Sequence, residues 1–197
     1  MKNKQKIRKL ERLKELKIKE SYLSVIYWFF AYPNIGITLS DLASNLNISK
    51  TKARKIVLEL ANRGFLMKEE LGRLWRISCD KNHIYNYTIK VSYNLWLVYM
   101  NNLVYEVRKK IPNARAIILF GSYRKGDDDE NSDIDLAVEV LGNEDPKIEQ
   151  FSIIPQLGYR KNIKVNLYVF SRKNIDLNLF NNIANGIILD GFLEVRP

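Results

Sequence analysis

The chain has 197 residues, with 32 Lys and Arg against 22 Asp and Glu, for a net charge of +10. One cysteine, Cys79, and one histidine, His83, exclude a disulfide framework, a zinc centre and a histidine-based triad. The length holds one mid-sized domain or two small ones, and the charge is uneven: residues 1–20 carry nine basic against three acidic residues, 21–80 eight against five, and 81–197 fifteen against fourteen. The front of the chain is therefore expected to face a polyanion, and the back need not.

Residues 1–20 read as a basic helical extension, with Ile7, Leu10, Leu13 and Leu16 along one narrow apolar edge. That edge suits packing on a partner subunit, as in a homodimer, or lying along nucleic acid; the other reading is a frayed, solvated tail. The start is not followed by an apolar run and cleavage site of the secretory kind, so a cytoplasmic location is expected. Tyr22 to Tyr32 is apolar but spans 11 residues, against the roughly 20 a bilayer needs, so a buried helix running into Pro33 is expected and no membrane association.

Thr38-Leu39-Ser40-Asp41 has the spacing of a capping box and opens a short helix through Leu46; Asn47-Ile48-Ser49 then makes a turn. A second helix, Lys50 to Asn62, carries Ala53, Ile56, Val57 and Leu60 as one buried stripe and is closed by Arg63-Gly64. Phe65 to Glu70 and Leu71 to Ile77 read as two strands around a turn. This order of elements, over residues 21–85, resembles a winged helix-turn-helix. The resemblance implies DNA binding, with Lys50, Thr51, Lys52, Arg54 and Lys55 on the exposed side of the second helix and Arg73 and Arg76 on the wing. Leu58 lies on that side too and marks either a flaw in a DNA face or a helix contact. Trp75 is expected to pack rather than stack on a base. The other reading of this unit is dimerisation or protein docking. Cys79 is expected to be a small buried hydrophobe and His83 to be exposed.

Tyr93 to Lys110 is free of strong breakers and predicts one long helix ending before Pro112, the leading helix of a second domain over residues 86–197. Ala114 to Phe120 follows as an apolar strand that stops at Gly121-Ser122, where backbone N–H groups and a hydroxyl can meet phosphate oxygens. Ten residues later, Ser132-Asp133-Ile134-Asp135-Leu136-Ala137-Val138 begins another strand. The two-residue period puts Asp133 and Asp135 on one face, where they could share a divalent cation, and turns Ile134, Leu136 and Val138 inward.

Gly121, Ser122, Gly126, Ser132, Asp133 and Asp135 together resemble the signature of polymerase-beta-like nucleotidyltransferases, in particular the small minimal members. The resemblance runs from about residue 92 to the C-terminus and takes in Asn182 to Gly191, which looks like the closing helix and strand with Asp190 in place of a Tyr. It implies an α+β fold with a short mixed sheet and flanking helices. It further implies a nucleoside triphosphate substrate, phosphates held at Gly121 and Ser122, and Mg²⁺ or Mn²⁺ held by Asp133 and Asp135. The acceptor is left open, and a protein acceptor or partner fits as well as a small molecule.

The resemblance also implies a third carboxylate on a later strand, which here reads Ile163-Lys164-Val165-Asn166-Leu167-Tyr168-Val169, so Asn166 takes the third catalytic place. An amide can accept a bond or weakly ligate a hard cation, but it is no base near neutral pH. Two functions follow: a nucleotidyltransferase fused to a DNA-binding domain, or an antitoxin-like transcriptional regulator whose degenerate transferase domain binds nucleotide or protein. The acidic run Asp127, Asp128, Asp129 and Glu130 offers a spare ligand or is a solvated loop, and Asp176 sits at an expected helix start. Arg124 and Lys125 are candidates for neutralising a triphosphate.

Overall fold

The computed structural model describes residues 20–143 and 145–195. The expected basic extension, apart from Glu20, lies outside the described residues. The fold is α+β. Its front part begins with helix α1, Glu20–Ala31, whose Val25, Ile26, Phe29 and Phe30 are all but inaccessible to water. Strand β1, Ile37–Thr38, leads into α2, Leu39–Asn45, and α3, Lys50–Asn62; the hairpin β2, Leu66–Leu71, and β3, Leu74–Cys79, completes an antiparallel sheet in the order β1-β3-β2.

Local chemistry explains these boundaries. Thr38 Oγ1 accepts from Asp41 N at 3.2 Å, as a helix cap should, and then donates to Asp41 Oδ2 at 2.7 Å, so the acid closes on the hydroxyl rather than on the cap's backbone. Ser49 caps α3 by accepting from Lys52 N at 3.2 Å. Ala53, Ile56, Val57 and Leu60 form the buried stripe that their spacing predicts, and full burial of each larger side chain contributes about 1.5–3 kcal/mol. The hairpin turn falls at Gly72, φ 62°, one or two residues later than the sequence suggests. Strand β1 was not expected, since two residues carry no periodicity.

The long helix expected over 93–110 is two helices, and the first starts earlier. Helix α4, Ile84–Tyr87, is followed by α5, Ile89–Met100, and α6, Leu103–Lys110. The break lies at Asn101-Asn102: Asn101 Nδ2 donates to Leu97 O at 2.8 Å, and Asn102 takes a left-handed backbone with φ 54°. Asparagine tolerates that conformation and competes for backbone hydrogen bonds, so the pair ends a helix that its apolar neighbours would continue. His83 is half-buried rather than exposed, and its Nδ1 caps α4 by accepting from Tyr85 N at 3.3 Å. Cys79 is buried as expected, and burial pushes its thiol up to about 11.

Strand β4, Ala114–Phe120, helix α7, Gly121–Lys125, strands β5, Ile134–Val140, β6, Lys147–Leu157, and β7, Arg160–Ser171, helix α8, Leu177–Ala184, and strand β8, Ile187–Gly191, form the rest. The sheet runs β6-β7-β5-β4-β8, with β5 and β7 parallel and the other pairs antiparallel. One face, through Ile117, Leu119, Leu136, Val138 and Leu167, packs under α5 and α6. The other, through Ala116, Ile118, Phe120, Ala137 and Phe170, packs under Ile183 of α8. The first of these cores continues without a gap into α1. Tyr27 stacks on Tyr93 with ring centres 3.9 Å apart, and Tyr32 Oη donates to the Tyr159 carbonyl at 2.6 Å. Helix α5 is therefore a shared core element, not a tether.

Candidate active site

The end of β4 fixes the first part of the site. Phe120 stands opposite Asp135 in the β4–β5 ladder, and the chain then turns at Gly121, φ 71°, into α7. A β-carbon at residue 121 would lie 2.7 Å from Asp135 Oδ2, so both the backbone angle and the approach of the carboxylate demand glycine. Ser122 sits half-buried in the opening turn of α7, with Arg124 half-buried and Lys125 exposed in its last turn.

Asp133 precedes β5 by one residue and Asp135 lies within it, so both carboxylates project from the face and strand end the sequence indicates. Asn166 is the parallel-ladder partner of Asp135. Its Nδ2 donates to Asp135 Oδ1 at 3.1 Å and approaches Asp133 Oδ2 at 3.5 Å. The three residues named as catalytic thus converge, and Gly121 packs on one of them, Asp135. Burial raises the Asp135 pKa, the Asp133 charge raises it further, and the Asn166 hydrogen bond offsets part of that. Among the described residues no three His, Cys, Asp or Glu side chains cluster as a metal site; beside Asp133 and Asp135 the third corner holds the Asn166 amide.

Tyr168, missed in the sequence, belongs to the same surface. It follows Asn166 by one period of β7, lies beside Ala137, and meets the Phe120 ring edge-on at 4.9 Å. Burial and then the charges of Asp135 and Asp133 hold its hydroxyl above the ordinary tyrosine range. The two-residue period from Asn166 was the available signal.

The acidic run is neither a spare ligand set nor a wholly solvated loop. Asp128 is 4 % exposed and Lys90 1 %; Lys90 Nζ lies 3.4 Å from Asp128 Oδ1 and also donates to the Asp128 carbonyl. Buried Asn94 donates to Asp128 Oδ1 at 2.7 Å and to Tyr123 O at 3.0 Å. Burial raises the Asp128 pKa and lowers that of Lys90, each being pulled back by the other's charge. At the loop's outer side, Asn34 Nδ2 donates to Asp129 Oδ2 and Glu130 Oε2, both at 3.3 Å. Asp176 accepts from Asn178 N and Leu179 N at 3.0 Å and caps α8, and Asp190 pairs with Arg108, so neither serves as a third acid.

On the front part, Lys50, Thr51, Lys52, Arg54 and Lys55 are exposed along α3, and Arg73 and Arg76 are exposed on the hairpin. A cleft of about 350 Å³ gathers Lys50, Arg54 and Arg73 with Thr38, Ser40 and Trp75. Trp75 is half-buried, with the Arg54 guanidinium 4.9 Å and Lys68 Nζ 4.5 Å from its ring centre, so cations rather than bases cover it. Arg76 lies instead against Gly36, and Leu58 is exposed with no helix over it among the described residues.

A mixed sheet that ends in a glycine turn and two same-face aspartates is consistent with a nucleotidyltransferase-type fold. Residues 102–190 match the family described as polymerase beta, nucleotidyltransferase. No curated protein matches the chain. Among the described residues, no helix is long and apolar enough to cross a membrane.

Proposed function

We propose that this chain is a divalent-cation-dependent nucleotidyltransferase, moving a nucleoside monophosphate from a nucleoside triphosphate to an acceptor, joined to a winged helix-turn-helix that binds DNA. The observation that carries the reading is the convergence of Asp133, Asp135 and Asn166 beside Gly121. Two carboxylates and an amide are hard oxygen donors suited to Mg²⁺ or Mn²⁺. When bound, the cation neutralises triphosphate charge, which is most of what such a transfer requires.

The residues divide the remaining work. Asp133 and Asp135 hold the cation; Ser122 Oγ and the N–H groups of the opening turn of α7 donate to phosphate oxygens. Turning the Asn166 amide by half a rotation presents its oxygen to the same point its nitrogen now faces. That amide takes no proton near neutral pH, so the acceptor's proton leaves to solvent or to a group that the acceptor brings. The support for DNA binding is the row of exposed cations on α3 and the cleft between that helix and the hairpin.

Incubation with Mg²⁺ and each labelled triphosphate, beside candidate acceptors, tests the transfer; incorporation that vanishes in Asp133→Asn/Asp135→Asn supports it. One observation favours the second reading, a DNA-binding regulator with a degenerate transferase domain. The Asn166 amide nitrogen already bridges both carboxylates where a shared cation would sit. DNA affinity that persists in the double variant, with no incorporation by the wild type, selects that reading.

A further inference from the structure

The loop between Ser122 and Asp133 sets the distance from the phosphate turn to the first carboxylate, and a side chain from another strand holds it. Arg160, the first residue of β7, is 5 % exposed. Its Nη1 donates to Tyr123 Oη at 2.7 Å, and its Nη2 donates to the Glu130 carbonyl at 3.3 Å and to the Ser132 carbonyl. Tyr123 directly follows Ser122, and Ser132 directly precedes Asp133. One planar guanidinium thus grips both ends of the loop.

Within the loop, Ser132 Oγ accepts from Asp129 N and Asp129 Oδ1 accepts from Asn131 N, each at 2.9 Å, so the far end moves as a unit. Asn94 ties Tyr123 O to Asp128 Oδ1 in the middle of the loop, and Arg160 ties Tyr123 Oη to the loop's far end, next to Asp133. The hydrogen bonds of Arg160 go to two carbonyls and a phenol, its Nε has no hydrogen-bond partner, and although it feels the charges of Asp128 and Asp129 it forms no salt bridge with a carboxylate among the described residues. An interior cation whose hydrogen bonds all go to neutral acceptors gains little stability from them, because desolvating it is expensive and an apolar side chain fills the space without that penalty. A rigid fork that reaches three acceptors at both ends of the loop is explained by geometry, and an ammonium on a flexible stem does not reproduce it.

We propose that Arg160 is the positioning residue for Asp133, setting its place relative to Asp135 and Ser122 and thereby the affinity of the aspartate pair for a divalent cation. The inference rests on reading that pair as the cation site. Groups that orient metal ligands contribute about 10–100-fold in affinity.

Mn²⁺ alone is the probe, titrated into the full chain and read from the electron paramagnetic resonance signal of the free ion. Arg160→Lys keeps the charge without the fork, and Arg160→Gln drops the charge; each is expected to weaken Mn²⁺ binding by about 10-fold or more while retaining the wild-type circular dichroism spectrum. Leu60→Ala opens a cavity under α3, lowers the melting temperature and is expected to bind Mn²⁺ like the wild type, which separates placement of Asp133 from general loosening. Tyr123→Phe removes one of the three acceptors, is expected to give a smaller loss, and takes over as the deciding variant where neither change at 160 folds. Wild-type affinity in a folded Arg160 variant, or in Tyr123→Phe acting in its place, overturns the proposal, as does an equal loss in Leu60→Ala. A wild-type chain that binds no Mn²⁺ removes the cation reading itself and this inference with it, so the wild-type titration tells the two failures apart.

Discussion

Asn166 puts a neutral amide where the geometry would receive a third carboxylate, and its Nδ2 sits 3.1 Å from Asp135 Oδ1. Asn166→Asp adds a hard anionic ligand and a base at the same backbone position. If the chain is a slow transferase, this variant binds Mn²⁺ at least about 10-fold more tightly and incorporates labelled nucleotide faster, by the roughly 10²–10⁴-fold typical of a restored general base. Unchanged incorporation in a variant that gains Mn²⁺ affinity assigns the site to binding alone. Acidity gives a second residue-scale test. The Asp135 carboxyl titrates above the ordinary aspartate range, chiefly through burial, and its neutral form holds no cation. Cation affinity is therefore expected to fall on acidification through that raised value, at higher pH than for an ordinary aspartate. In the cation-free protein the sign is opposite. The folded state holds this proton more tightly than the unfolded chain, so the associated stability is complete below the unfolded aspartate value and is lost as pH rises through the folded one. Asp135→Asn removes both dependences, which cation titration and thermal unfolding across pH 3–7, roughly that window, would record.

At the scale of elements, the exposed row on α3 and the hairpin makes a quantitative demand. Arg54 and Arg73 share the cleft with Lys50, and neither is paired with an acid among the described residues. Arg54→Ala/Arg73→Ala is expected to weaken binding to every DNA sequence alike and to reduce the slope of log affinity against log salt by about 2, one for each phosphate that is no longer neutralised. An unchanged slope means these arginines meet no phosphate. Much of the element order was readable because each helix or strand announces itself within a few residues. Thr38 and Ser49 mark helix starts, the α3 stripe repeats with the helical period, and Ile134, Leu136 and Val138 alternate with the acids. Asp133, Asp135 and Asn166 were readable for the same reason, since a strand's period fixes which side chains share a face. What escaped depends on partners far along the chain. Lys90 and Asp128 are 38 residues apart, and Arg160 and Tyr123 are 37 apart, so nothing local marks those charged residues for burial. The helix break at Asn101-Asn102 escaped because both neighbours are strong helix segments.

For the molecule as a whole, the Tyr27–Tyr93 stack and the core running from Phe29 to the sheet leave no layer of solvent at which the front part could separate. Heating is expected to unfold both parts in one transition that has the same midpoint by tryptophan fluorescence and by circular dichroism. Two of the three tryptophans, Trp28 and Trp75, lie in the front part, so an early fluorescence transition would reveal independent melting. Tyr93→Ala, which deletes a buried aromatic at the junction, is expected to lower stability by about 3–5 kcal/mol and to split the transition if it loosens the two parts unequally.

The salt bridge from Lys90 to Asp128 also bears on any attempt to trim this chain. Cutting at residue 102, where the family match begins, discards α4 and α5, and with them Lys90, Asn94 and the cover over the Asp128 loop. The loop then loses the contacts that hold it, and the apolar sheet face under α5 is exposed, a large loss for a fragment with only about 5–15 kcal/mol of stability. A shortened version that starts no later than Ile84 keeps both helices behind the loop and avoids that defect.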